Sequence, residues 1–330
     1  MTASLQLLAD GMFAADAPHG QTLALVVQHG GRTLYERYGT QPDTVFGPGE
    51  AVTPDTTLIS WSMAKSITHA LVGILVADGR IDPSLPAPVP SWKGTEKERI
   101  TVQHLLTMSS GLRFVEDYVD DSVSHCIDML FGAGQDDVAA YAAALPLDHE
   151  PGSRWSYSSG TTNIICRIIG DTVGGGAEGM ELFMRERLFE PAGMSSATPK
   201  FDSAGTFIGS SFVFATARDF ARFGTLYLHD GVTESGQRVL PAGWRDHART
   251  FTAIDPEHEG VFGGTAYGAQ WWLWEQFPGA LTCQGYEGQV TFVWPEHDLV
   301  VVHLGKVAAP NGRLLDAQVS SIVRAVTGVI

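Results

Sequence analysis

The sequence predicts an α/β (α+β) fold: one antiparallel sheet built from both termini, flanked by helices, with a mostly helical region inserted between its halves. Two observations carry this. Strand-like period-two runs stand near residue 20 and again beyond residue 265, and helical periodicity fills the stretch between them. A third is the closing segment "LLDAQVSSIVRAVTGVI", which reads as a helix. The boundaries expected are 1–80 with 206–330 for the sheet region and 81–205 for the helical insertion, with the active site between them.

"QTLALVVQHGGRTLYERYG" reads as two strands around a Gly-Gly turn, a hairpin. The Gly- and Pro-rich loop "QPDTVFGPGEAVTPDTT" follows. In "LISWSMAKSITHALVGILVADGR" apolar residues recur at helical spacing from Met63 to Leu75, and Gly79 ends the helix. "TVQHLLTMSSG", "TNIICRIIGDTVGGG" and "GMELFMRERLFEPAGM" read as helices of the insertion, and "ATARDFARFGTLYLHDG" as an amphipathic helix after it. "AYGAQWWLWE", "GQVTFVWPEHD" and "LVVVHLGKV" read as three strands of a meander. No internal repeat is visible.

Composition narrows the function. The 330 residues suffice for a large core, and the net charge of −16 disfavours nucleic acid and anionic membrane surfaces as partners. No run reaches the roughly 18 apolar residues of a membrane-spanning helix. The N-terminal stretch lacks the basic start of a secretory leader. Cys126, Cys166 and Cys283 form neither a disulfide framework nor a zinc pattern, so a cytoplasmic location is the default expectation. The eleven histidines show no metal-ligand spacing, and neither a metal nor a cofactor is expected. His69 reads as a packed core histidine. "GGGAEG" follows a helix rather than a strand and fails as a dinucleotide loop. No Gly-x-Ser-x-Gly elbow is present.

The chemistry starts at Ser62 and Lys65. On a helix, positions i and i+3 share a face. A serine hydroxyl becomes a nucleophile when a base takes its proton, and a lysine buried in an apolar segment can be that base, because burial disfavours the ammonium. Backbone N–H groups at the helix start favour developing negative charge. The chain has only five lysines, and one of them stands here. The competing reading is an N-cap serine followed by a lysine that reaches out to solvent. Tyr157, in "GSRWSYSSGTTNIICRIIG", precedes a helix where a tyrosine can relay a proton to a leaving group; a core tyrosine beneath a helix cap is the alternative. In "CQGYEGQVTFVW", Gly285 and Gly288 bracket the entry to an apolar strand, and the N–H of Gln289 is a candidate half of an oxyanion hole, with the N–H of Ser62 as the other half. A plain strand-edge turn is the alternative.

Ser62-Met63-Ala64-Lys65, Tyr157-Ser158-Ser159 and Tyr286-Glu287-Gly288, in this order and spacing, resemble the three motifs of the serine β-lactamase/penicillin-binding-protein superfamily. The branch most resembled is that of the class C-like esterases (family VIII carboxylesterases) and 6-aminohexanoate-dimer hydrolases, and "ITVQHLLTMSSGL", "LFEPAGM", "GSSFVFATARDFARFG" and "YGAQWWLW" agree. The resemblance implies a β-lactamase-like fold with Ser62 as nucleophile, Lys65 as base, Tyr157 as second base and relay, and the Gln289 amide as oxyanion donor. It implies a small-molecule ester or amide substrate. Ser159 stands where the family often has Asn, and Tyr286 with Glu287 where β-lactamases and peptidases carry a cation. Ser159, Tyr286, Glu287 and Gly288 are therefore candidate substrate-binding residues, with no cation expected near the third motif. "FVEDYVDDS" resembles the acidic loop of the aminohexanoate-oligomer hydrolases and makes Tyr118 a further candidate, a solvated acidic loop being the alternative. The leading reading is a serine esterase or amidase. A β-lactamase or D-aminopeptidase-like hydrolase and a non-catalytic scaffold of the same fold are the alternatives.

Overall fold

The computed structural model describes residues 2–45, 47–117, 123–254 and 266–329. The strands are β1 (Gln21–His29), β2 (Arg32–Tyr38), β3 (Leu58–Ile59), β4 (Thr198–Pro199), β5 (Val213–Ala215), β6 (Ala253–Ile254), β7 (Ala266–Tyr267), β8 (Trp272–Leu273), β9 (Leu281–Gly285), β10 (Gln289–Trp294) and β11 (Leu299–Lys306). The helices are α1 (Ala3–Gly11), α2 (Ala64–Ala77), α3 (Val102–Leu106), α4 (His125–Phe131), α5 (Val138–Ala144), α6 (Ser159–Val173), α7 (Gly176–Met184), α8 (Ala217–Leu228), α9 (Trp244–Arg249) and α10 (Gly312–Thr327). Among the described residues the large sheet has eight strands in the order β2-β1-β11-β10-β9-β8-β7-β6, antiparallel throughout. The strands of the two chain ends meet where Gln21 pairs with Lys306 and His29 with Leu299.

The continuous apolar run of β1 follows from burial on both faces. Ala24 and Val26 enter one core with α2, α6 and α8, while Leu25 and Val27 enter a second core with α1 and α10. Along β11, Val300, Val302 and Leu304 alternate with Leu299 and Val301 in the same way. The result is a helix–sheet–helix sandwich with α3 to α7 continuing the first core. A short second sheet, β3-β5-β4, holds the chain just before α2.

The hairpin, the amphipathic α8 and the closing α10 match the sequence expectation. The meander does not match in detail. "AYGAQWWLWE" is no single strand: Gln270 has φ 58°, and the chain folds back there so that β7 pairs with β8. The segment before Tyr286, for which the sequence suggests no strand, forms β9 and completes the sheet between β8 and β10.

Asp316 on α10 is buried, and its Oδ2 has no hydrogen-bond partner; Gln284 Nε2 is likewise unpartnered. Both line a small cavity of about 20 Å³ behind the Tyr286–Gly288 turn. Burial pushes the Asp316 carboxyl up to about 7. Below about pH 4 the folded and unfolded chains both hold this proton. Between about pH 4 and pH 7 the unfolded chain releases it while the fold keeps it, so stability falls as pH rises, and above pH 7 the whole penalty is present. Asp316→Asn is expected to stabilise the protein by on the order of 3 kcal/mol at pH 8 and by nothing near pH 4. Urea unfolding at the two pH values measures this, and an equal effect at both would mean that the carboxyl does not titrate in the fold.

Candidate active site

Helix α2 is buried on every side from Ala64 to Leu75, as its apolar composition requires. Its approach is fixed by Ser60, which is buried, donates to the Ser211 carbonyl (3.1 Å) and accepts from the Val213 N–H (3.1 Å). Trp61 then takes φ 43°, an unusual conformation for a bulky residue, and opens a single 3₁₀ turn, Trp61–Met63. Ser62 sits in this turn, one turn ahead of Lys65.

Lys65 is fully buried. Its Nζ donates to three oxygens: Ser62 Oγ (3.0 Å), Ser159 Oγ (2.9 Å) and the Ser210 carbonyl (3.0 Å). Helix α6 supplies the second and holds the third in place. Ser159 opens α6, whose N-cap is Ser158, bonded to the Thr161 N–H. Asn163, one turn on, accepts from the Ser210 N–H (3.1 Å) and so holds that carbonyl in place. The Tyr157 ring lies 4.8 Å from Lys65 Nζ and stacks on Trp272. Burial raises the Tyr157 hydroxyl above its ordinary value; the Lys65 charge opposes the rise and the Glu116 charge adds to it. Tyr157 is therefore a neutral hydroxyl at pH 7. The structure brings Ser62, Lys65, Tyr157 and Ser159 together.

The third motif arrives from β9. A Cβ built on Gly285 would lie 2.3 Å from the Ser60 carbonyl and 3.1 Å from the Ser62 nitrogen, so this strand end touches the serine turn, and only glycine fits. Tyr286 follows, its ring edge-on to Trp61, and it lines an apolar cavity of about 220 Å³ with Ser62, Cys126, Leu130 and Phe131. Gln289 stands apart from this group. It is buried one strand further on, opposite Gly285, and its side chain bonds the Tyr286, Glu287 and Gly305 carbonyls. The residue whose N–H follows the close approach is Tyr286.

Glu287 holds the left-handed conformation, φ 59° and ψ 24°. Its carboxylate accepts from Trp61 Nε1 (3.1 Å) and pairs with Lys306 Nζ (2.5 Å). The expectation of no cation near the third motif is thus corrected. Lys306 ends β11, and the antiparallel register brings it beside a residue 19 positions earlier in the chain. The residues next to the motif in the sequence give no sign of this distant partner.

Glu116 is a site residue that the sequence reading passed over. Its Oε1 accepts from Ser159 Oγ (2.6 Å) and its Oε2 from the Ser159 N–H (2.7 Å). The Ser159 hydroxyl is therefore engaged on both sides rather than open to a substrate. The signal was its place in the acidic loop that drew attention to Tyr118, which lies outside the described residues. Beyond Glu116 and Tyr157 a second, polar cavity of about 600 Å³ opens, with Arg113, Asp148 and Arg154 on its walls. His69 is a core residue, with Nδ1 at 2.7 Å from the Tyr227 hydroxyl and the ring stacked on Trp244.

A family profile described as "Beta-lactamase" matches residues 13–319. A 6-aminohexanoate-dimer hydrolase of Paenarthrobacter ureafaciens is 28% identical over 273 residues, covering 79% of this chain and 69% of its own. Penicillin-binding protein 4 of Amycolatopsis lactamdurans is 28% identical over 275 residues, covering 71% and 67%. The crystal structure of a family VIII carboxylesterase superposes with a TM-score of 0.70 at 14% identity, over 97% of this chain and 98% of that one, a likeness of fold.

The contact at Gly285 gives a direct test. Gly285→Val forces the strand end away from the serine turn. It is expected to fold with a native circular dichroism spectrum while Ser62 loses about a hundredfold in its rate of labelling by a fluorophosphonate. Native labelling would mean that the two segments do not depend on each other.

Proposed function

The chain belongs to the beta-lactamase family, and we propose that it is a serine hydrolase of neutral esters or linear amides working through an acyl-enzyme at Ser62. The observation that carries this is the buried Lys65 amine held 3.0 Å from Ser62 Oγ. Lys65 takes the Ser62 proton as Oγ attacks the substrate carbonyl. The oxyanion is held by the N–H groups of Ser62 and Tyr286; the contact of Gly285 with the Ser62 nitrogen favours Tyr286 over Gln289 for this role. The tetrahedral species collapses, and the alcohol or amine leaves with the proton of Lys65, passed through the Tyr157 hydroxyl. Water then attacks the Ser62 ester, its proton passing through the Tyr157 hydroxyl to Lys65; the bond from Oγ to the acyl carbon breaks, Lys65 returns the proton to Ser62 Oγ, and the acid departs. The apolar cavity beside Ser62 suits a short acyl chain. Esterase and amidase relatives support the substrate class.

Ser62→Ala is expected to lower hydrolysis of p-nitrophenyl butyrate by several orders of magnitude, and Lys65→Met to be nearly as inactive with native folding. In the unaltered enzyme kcat/KM rises with pH to a basic-side optimum, because a buried base must lose its proton first. Substantial activity in purified Ser62→Ala, or a flat profile from about pH 5 to pH 9, would overturn the mechanism.

The alternative β-lactam substrates carry a carboxylate that needs a cation. Lys306 is the cation at hand, and Glu287 already pairs with it. Nitrocefin is therefore expected to turn over slowly relative to the neutral ester. Glu287→Gln frees Lys306 and raises the ratio of the two kcat/KM values about tenfold, roughly 1–2 kcal/mol. An unchanged ratio would mean that this pair does not govern carboxylate binding.

A further inference from the structure

We infer that Glu116 is a positioning residue for the reaction proposed above: by accepting the hydrogen bond of the Ser159 hydroxyl, it fixes the direction in which the Lys65 amine faces Ser62. The inference rests on that reading and adds to it a group outside the three motifs.

The Ser159 hydroxyl has one proton. Glu116 Oε1 lies 2.6 Å from its oxygen, and a carboxylate only accepts, so the proton points to Glu116. Oε2 accepts from the Ser159 N–H and locks the carboxylate's orientation. Ser159 Oγ is then left with lone pairs alone toward Lys65, 2.9 Å away. The Ser210 carbonyl, also an acceptor only, takes a second N–H of Lys65. A neutral lysine amine has two N–H groups and one lone pair. With both N–H groups engaged, the lone pair is left facing Ser62 Oγ, which is what removal of the Ser62 proton requires. When Lys65 receives that proton it becomes an ammonium with three acceptors around it, and no side chain has to turn. Without the carboxylate, the Ser159 proton is free to point at Lys65 and take up the lone pair.

The other titratable groups facing this relay are Tyr157, Tyr267 and Cys126, each raised by burial, and the Glu116 charge raises all three further. Removing that charge therefore makes Tyr157 easier to ionise.

The test is Glu116→Gln, which keeps size and shape. Whichever way its amide is turned, it can accept only one of the two Ser159 donors. The expected result is a kcat about tenfold to a hundredfold lower with little change in KM, an acidic limb of the kcat/KM profile moved to lower pH, and a native melting curve. The loss is expected to be non-additive with Ser159→Ala: the double variant is no slower than the slower single one, because both break one chain of bonds. An unchanged kcat and pH profile in Glu116→Gln overturns the inference, as does full additivity. If Glu116→Gln does not fold, Ser159→Ala alone decides: a native kcat overturns the inference and a reduced one supports it. Activity remaining in Ser62→Ala would instead sink the underlying mechanism, so the two failures are distinguishable.

Discussion

The burial of Lys65 is the constraint on which the site is built. An amine taken out of water is tolerated only with its hydrogen bonds satisfied, because the interior offers no other solvation. Three acceptors meet it, drawn from the turn before α2, the first residue of α6 and the segment before β5. Much of the surrounding architecture holds those oxygens still. Ser158 caps α6, Asn163 grips Ser210, and Ser60 ties the entry of α2 to Ser211 and Val213. Glu116 closes the outer side of Ser159.

A second linkage joins the serine turn to the sheet. Trp61 and Glu287 both have positive φ, an unfavourable conformation for residues with large side chains, and they bond each other. Lys306 from β11 completes the group. The strain on either side is thus held by a contact between the element that carries Ser62 and the one that carries Tyr286. It balances a negative charge at the edge of the cavity and commits the neighbouring positive one.

The architecture was legible because its main signals are local. The Gly-Gly hairpin, the apolar α2 and the stripe of α8 need no knowledge of distant residues, and the three motifs point to the candidate site through the family they resemble. What was not legible arises from contacts between remote segments. Glu116 is 43 residues from Ser159, and Lys306 is 19 from Glu287. Both were hidden for the same reason: a charged residue in a loop or at a strand end reads as solvated until the fold places its partner. The strand β9 was missed because "CQGYEG" has two glycines. They weaken strand propensity but are what permits the close approach at Gly285. The splitting of "AYGAQWWLWE" turned on Gln270, a residue type with no turn signature.

The pairing of β1 with β11 also bears on how the chain comes to be folded. Gln21 and Lys306 are neighbours in the finished sheet, yet most of the polypeptide separates them. A ribosome releases β1 long before its partner β11 exists, and this apolar strand, buried later on both faces, has at first only α1 and β2 to shield it. The contacts that can form early are the local ones of the α3–α7 region. High sequence separation makes the final closure slow and leaves β1 open to association with other chains meanwhile. The nascent protein thus depends on whatever covers the first hairpin until the last strand emerges.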